Sequence, residues 1–243
     1  MNQRSIDLPG VFNFRDIGGY PTVDGRQTRW KRLYRSGDLH RISAVGVRRL
    51  EDDLGLKTVV DIRWPDDLAR SGTPGRLAKT DITRHHVPFG DIERLSGVPD
   101  LPVGLAYLPL VERCGDDTAR IVQAIAAQDT LPAVVHCSAG KDRTGLIIAL
   151  LLALLGVDDE TIVEDYSLTA RHMPRWIAFL IERGELPPEP SDADPHPGDA
   201  IAPEAIQSML DSLRTTHGSI EGYFLHHGLE HDSIDGLRAL LIE

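Results

Sequence analysis

The residues of this chain best suited to chemistry lie in one run, Val134-Val135-His136-Cys137-Ser138-Ala139-Gly140-Lys141-Asp142-Arg143-Thr144-Gly145. A phosphate monoester presents three charged oxygens. They suit a ring of backbone N–H donors plus one planar guanidinium that grips two of them. Arg143 would be that guanidinium, and the amides of Ser138, Ala139, Gly140, Lys141, Asp142 and Arg143 would form the ring. Cys137, as a thiolate, would attack phosphorus and form a covalent intermediate. Loop amides, a helix N-terminus and Arg143 all favour the ionised sulfur. Gly140 and Gly145 would supply tight turning and close backbone approach. Thr144 is placed to donate its hydroxyl to the sulfur as it leaves in a second step, and His136 to orient the loop through hydrogen bonds. The bland alternative is a buried cysteine beside an unrelated arginine. Residue types, spacing and flanks together disfavour it.

Two elements must position this loop. Pro132 to Val135 is a short apolar run with two β-branched residues, the pattern of a buried strand. Leu146 to Leu155 is apolar all round, the pattern of a helix enclosed by protein. A loop from such a strand into such a helix aims its N–H groups and the positive helix end at one point, where an anion belongs.

His-Cys, five residues and then Arg-Thr-Gly resembles the signature loop of the cysteine-dependent protein tyrosine phosphatases. The fuller His-Cys-Ser-Ala-Gly-Lys-Asp-Arg-Thr-Gly is similar to that of the bacterial tyrosine/serine phosphatase branch that also accepts phosphoinositides. Val11 to Tyr20, Leu33 to Leu39, Asp61-Ile62-Arg63 and Asp165-Tyr166 also resemble motifs of that branch. The resemblance implies an α/β, tyrosine-phosphatase-like fold, with a mainly parallel central sheet flanked by helices and a helical C-terminal extension. It implies no metal or cofactor, a phosphorylated protein or a phosphoinositide as substrate, and inorganic phosphate as product. Asn13, Arg15 and Asp16 amid apolar residues read as a polar network tying the N-terminal strand to the core. Arg15 and Arg35 read as structural pairings, and Asp165 and Tyr166 as anchors.

The proton donor to the leaving alcohol has two candidates. Asp91 ends Pro88-Phe89-Gly90-Asp91, after a strand over 82–87. This arrangement resembles the acid-bearing loop of phosphatases acting on lipids, and ligands of open α/β sheets lie outside strand C-termini. Asp91 is the preferred acid. Asp142, inside the loop, is its rival, and either is otherwise a turn carboxylate bonded to backbone N–H groups. Trp64-Pro65-Asp66 spells the acid loop of classical tyrosine phosphatases, but it lies far upstream of Cys137 and directly follows Asp61-Ile62-Arg63. Asp66 is therefore disfavoured and the match read as coincidence. Lys141 either meets a second phosphate or strengthens the field around Cys137.

Length and composition fit one phosphatase domain over residues 1–243. A net charge of −11 argues against nucleic acid or an anionic membrane as a whole-surface partner. Cys114 and Cys137 are too few for a disulfide scaffold, which favours a reducing compartment. Cys114 reads as a free thiol near a helix end, with a reversible disulfide to Cys137 the less favoured reading. The N-terminus lacks an apolar core of signal length, and no apolar run is long enough for stable membrane insertion. The expectation is a cytoplasmic protein, with non-classical export the alternative.

Elsewhere the pattern predicts helices over 44–54, 105–111 and 118–127, a strand over 58–62, a loop over 91–103, and a helix starting at Asp158-Asp159-Glu160. Gly184 to Pro203 is Pro-rich and acidic, an exposed insertion or, less favoured, a lid. The 204–243 part carries three short helices, begun at Pro203, at Ser219 and at Asp232 or Ser233, packing back on the body. His227 and His231 have metal-pair spacing, but Gly228 interrupts them and no further ligands cluster nearby. Two rival readings are a phosphate-binding pseudophosphatase, and a sulfur transferase or arsenate reductase using the same kind of thiolate loop.

Overall fold

A computed structural model of the chain describes residues 4–72, 75–90, 103–188 and 202–243. Its centre is a five-stranded sheet, β1 (Arg15–Asp16), β2 (Leu33–Ser36), β3 (Thr58–Asp61), β4 (Thr83–His86) and β5 (Ala133–His136), in the order β1-β2-β5-β3-β4. Only the β1–β2 pair is antiparallel. Every residue of β2, β3 and β5 is buried, as expected for parallel strands covered on both faces. Side chains alternate across the sheet. Tyr34, Val59 and Val134 enter one apolar cluster, whereas Leu33, Val60 and Val135 enter the other.

The helices are α1 (Ala44–Arg48), α2 (Pro65–Ser71), α3 (Tyr107–Arg113), α4 (Gly115–Ala126), α5 (Asp142–Leu154), α6 (Asp159–Ser167), α7 (Met173–Glu182), α8 (Pro203–His217), α9 (Ile220–His226) and α10 (His231–Leu241). Ten of the 13 residues of α5 are buried, the all-round enclosure its apolar sequence predicts. Asp158 caps α6 and Ser219 caps α9 through their side-chain oxygens, and Pro203 opens α8. Leu210, Leu213, Tyr223, Phe224 and Leu237 of α8 to α10 join the cluster that holds α5, so the C-terminal helices pack back on the body. None of the described helices is long and apolar enough to cross a membrane.

Four details differ from the sequence reading. The segment after α1 widens into a π-helix, Arg49–Asp53, instead of continuing as α. α4 starts at Gly115, ahead of Asp116-Asp117. α10 starts at His231 after Glu230, with no side-chain cap, so neither Asp232 nor Ser233 is its N-cap. α7 was not anticipated at all. Its apolar residues follow Pro174 in a short run, and only Met173 of the helix is fully buried.

Register matters most for the site. Ser36 and Asp61 both pair with His136 across β2-β5-β3. Gly37, Cys137 and Ile62 therefore leave the sheet side by side at its carboxyl edge, where open α/β sheets bind ligands.

Candidate active site

Cys137 follows the last residue of β5, the central strand, and is 3% exposed. The chain then turns through Ser138 to Lys141 and enters α5 at Asp142. The turn is braced from outside. Gly140 C=O accepts from Asn13 Nδ2 (2.8 Å) and from Arg35 Nη2 (3.0 Å), and Ser138 C=O accepts from the Asp38 N–H (2.8 Å). In a trans peptide the C=O and the following N–H point opposite ways. Clamping these carbonyls thus turns the amides of Ala139 and Lys141 to the other side of the chain. Gly140 is required where it stands, with φ +69° and an added Cβ only 2.5 Å from Gly37 N.

The brace rests on a buried ion network. Asp165 accepts from Arg15 Nε (3.1 Å), Arg35 Nη1 (2.5 Å) and the Tyr20 hydroxyl (2.8 Å), and Arg15 also donates to Asn13 Oδ1. Burial pushes the Asp165 carboxyl up, but the two guanidiniums outweigh it and hold it well below the usual carboxylate range. Arg15 is drawn down to about 10, by burial first and then by Arg35. Arg15 and Arg35 are therefore structural pairings, with Asp165 as their anchor.

His136 donates Nδ1–H to the Cys137 carbonyl (3.1 Å), with Nε2 3.7 Å from Asp61 Oδ1. Burial lowers its pKa in spite of Asp61, so the imidazole is neutral and orients the strand end. Asp61 is itself held by Arg63 (2.7 Å) and Arg84 (3.0 Å).

Arg143 lies in the first turn of α5. Its Nη2 reaches Ser138 Oγ at 3.3 Å and its Nη1 reaches Asp67 Oδ2 at 2.5 Å. Burial works against its charge, but the Cys137 sulfur and then Asp67 outweigh burial and raise its pKa. Nucleophile candidate and guanidinium candidate are thus brought together. Asp142 Oδ1 accepts from the Tyr107 hydroxyl, which also bonds Tyr166 OH at 2.7 Å, and Lys141 Nζ lies 3.5 Å from Asp142 Oδ2. Burial, then Asp142, pushes the Tyr107 phenol up. Lys141 is itself buried against the loop. The Thr144 hydroxyl is buried and has no hydrogen-bond partner among the described residues. Asp91, the acid preferred on sequence, lies outside the described residues. So does 189–201, most of the Pro-rich stretch.

Asp67 is the site residue that sequence reasoning missed. It occupies the third position of α2, where its carboxylate accepts the Trp64 N–H at 3.0 Å, and burial is outweighed by Arg143 in keeping its pKa down. Asp66 beside it is exposed. The signal lies in the Trp-Pro-Asp-Asp run, which the sequence reading weighs only at Asp66 and sets aside as coincidence. Elsewhere, Cys114 is a free thiol between α3 and α4, pushed up by burial. His227 pairs with Asp116 (3.0 Å) and His231 with Glu221 (3.3 Å), so the two imidazoles have separate partners.

Beside the loop runs a groove of about 370 Å³ between the Phe12 segment and α7. Ser138 and Asp67, both bonded to Arg143, are among its lining residues.

The model of the tyrosine phosphatase family matches residues 6–243 of this chain. The triple specificity protein phosphatase PtpB of Mycobacterium tuberculosis is 29% identical over 97% of this chain and 98% of its own length. A tyrosine-protein phosphatase of Nostoc commune is 31% identical over 85% of this chain and 73% of its own. Among solved structures, the core catalytic domain of the PP-IP phosphatase SIW14 from S. cerevisiae aligns over 70% of this chain and 94% of its own, with 15% identity and a TM-score of 0.39.

Proposed function

We propose that this chain, which belongs to the tyrosine phosphatase family, hydrolyses phosphotyrosine through a cysteinyl-phosphate intermediate. Cys137 is the nucleophile. Its thiolate attacks phosphorus, an S–P bond forms, and the P–O bond to the alcohol breaks as that oxygen takes a proton. Water then attacks phosphorus, the S–P bond breaks, and inorganic phosphate leaves. Arg143 holds two phosphoryl oxygens while the amides of Ser138 to Arg143 hold the rest, fixed donors whose value is greatest as charge shifts in the transition state. The Thr144 hydroxyl, buried and without a partner among the described residues, supports its role as donor to the departing sulfur, since such a group is costly unless it has a task.

Asp142 or Asp91 supplies and later recovers the proton. Asp142 is supported by its place one residue before Arg143 and by the Tyr107 hydroxyl that fixes its carboxylate. Lys141 lies against Asp142, which supports a part in the loop's own field. The description of the mycobacterial relative as a triple specificity phosphatase supports a substrate range that extends to phosphoserine, phosphothreonine or phosphoinositides. The whole chain acts as one phosphatase domain, in the cytoplasm, where a reducing milieu keeps Cys137 competent.

One observation carries this reading: Cys137 stands at the end of the central strand and Arg143 in the first turn of the helix that follows, its guanidinium folded back onto the loop at Ser138 Oγ (3.3 Å). The test is turnover of p-nitrophenyl phosphate and of phosphotyrosine, phosphoserine and phosphothreonine peptides and phosphoinositides by the wild type and by Cys137→Ser. Activity that survives Cys137→Ser, or thiosulfate or arsenate activity exceeding phosphatase activity, sinks it.

A further inference from the structure

We infer that the groove between Phe12 and α7 is a specificity site for an apolar side chain adjoining the phosphorylated residue of a peptide substrate. This rests on the catalytic reading above and adds to it the class of substrate.

The first observation is continuity. Phe12, Trp176, Phe179 and Leu180 line a groove that Ser138 and Asp67 also line, and both of those are bonded to the Arg143 guanidinium. The groove thus offers a path along these side chains for a group attached to a phosphoryl on Arg143. The second is the composition of α7. The helix carries Trp176, Ile177, Phe179, Leu180 and Ile181, yet all five are only half-buried. Apolar area left in water is unfavourable in proportion to its size, so covering it drives association. The wall is built and aromatic, with the Phe12 and Phe179 rings 4.9 Å apart.

The third is charge. The charges of the groove are mixed: Arg41 lines it beside the carboxylates of Asp38, Asp67 and Glu185, and two further guanidiniums stand at its rings. Arg41 lies 5.4 Å and Arg183 5.6 Å from the Phe179 ring centroid, and Arg175 lies 5.8 Å from that of Phe12. Arg41 is aimed by His40, whose Nε2 accepts its Nε–H at 2.8 Å. Their carboxylate partners, Glu185 and Asp7, sit on partly to largely exposed pairs that a peptide carboxylate can replace at little cost. The aromatic floor suits an apolar residue, while the mixed charges around it, Arg41 against Asp38, Asp67 and Glu185, suit a peptide better than an anionic lipid.

Size and surroundings favour a peptide over a lipid. About 370 Å³ is at the small end for ligand sites and matches one or two side chains. None of the large exposed apolar residues Val23, Trp30, Val45 and Leu105 lines the groove mouth, where a bilayer would press. The net charge opposes an anionic membrane surface.

The experiment compares phosphotyrosyl peptides that carry Leu, Ala or Lys beside the phosphotyrosine. Wild-type enzyme is expected to show kcat/KM about tenfold higher for Leu than for Ala, the scale of one apolar contact. In Phe179→Ala that ratio falls towards one. The ratio cancels any general effect of the substitution on folding or turnover. Phe179→Leu, which keeps an apolar side chain, retains it. A flat peptide series in the wild type, or a ratio unchanged in Phe179→Ala, overturns the inference. So does a Phe179→Ala effect confined to long-chain phosphoinositides in vesicles and absent on their short-chain soluble analogues, because the groove would then belong to acyl chains. p-Nitrophenyl phosphate separates the two levels. No turnover of it by wild-type enzyme fells the catalytic reading and this one with it. Turnover with a flat peptide series fells only the groove.

Discussion

The carboxylate of Asp67 lies 2.5 Å from the guanidinium of Arg143. A substrate phosphoryl group and Asp67 therefore compete for the Nη1 donor. Asp67 is also tied to the Trp64 N–H, so it can release Arg143 without leaving the loop mouth. Asp67→Asn removes the competing charge and is expected to tighten inhibition by inorganic phosphate about fivefold, the equivalent of roughly 1 kcal/mol for a partly screened pair. The inhibition constant against p-nitrophenyl phosphate measures it. Weaker or unchanged inhibition would show that Asp67 does not stand in the way of the anion.

The two acid candidates separate by leaving group. A phenolate as acidic as p-nitrophenolate departs with little need of a proton, whereas tyrosine needs one. If Asp142 is the donor, Asp142→Asn costs about a hundredfold in kcat on phosphotyrosine and much less on p-nitrophenyl phosphate. If Asp91→Asn shows that split in its place, the donor is Asp91.

Asp165 sits between two arginines that are themselves fully buried. Asp165→Asn leaves Arg15 and Arg35 uncompensated and is expected to cost about 3–5 kcal/mol of stability in urea unfolding. Activity should fall further than stability predicts, because Arg35 also clamps the Gly140 carbonyl. This network and the separate one of Asp61 with Arg63 and Arg84 fix a pH dependence. Folded-state pKa values of Asp165 and Asp61 lie below the ordinary value, so their contribution is fully present above about pH 4 and is lost as pH falls through the depressed values. Urea midpoints should decline gently below about pH 6.5, where the unfolded chain protonates the imidazole that buried His136 keeps neutral, and drop steeply below 4. A midpoint that rises on acidification contradicts this.

Gly140→Ala places a methyl group 2.5 Å from Gly37 N and forces a positive φ on an L-residue. The expected result is a loss of about 1–3 kcal/mol in stability and a loss in kcat of at least a hundredfold. Thermal unfolding and steady-state kinetics read the two separately. Near-wild-type turnover would mean that the loop is more plastic than its packing against Ser36 and Gly37 indicates.

Much of this was legible in the sequence where the cause is local. The run Ala133–His136 has the β-branched pattern of a strand, α5 is apolar on every side, and Cys137 and Arg143 carry their spacing openly. Asp158, Pro203 and Ser219 announce helix starts by their own chemistry. Asp67 was hidden because its meaning is not local. It acts on Arg143 only because the sheet order sets β3 beside β5, which no window of sequence reveals. The polar network around Asn13 and Arg15 was foreseen, but not that Asn13 and Arg35 meet at one carbonyl of Gly140. α7 was missed although its apolar residues recur at helical spacing; what the sequence does not show is that all but Met173 stay partly exposed.

The strand that delivers Cys137 has partners on both sides, β2 and β3, and every one of its residues is buried. Such a segment exchanges its amide hydrogens only when the whole molecule opens, whereas half-covered elements such as α2 and α7 open far more cheaply. Mild heat or denaturant should accordingly erode substrate discrimination and Arg143 positioning first, leaving a sulfur that stays at its post until the fold itself gives way.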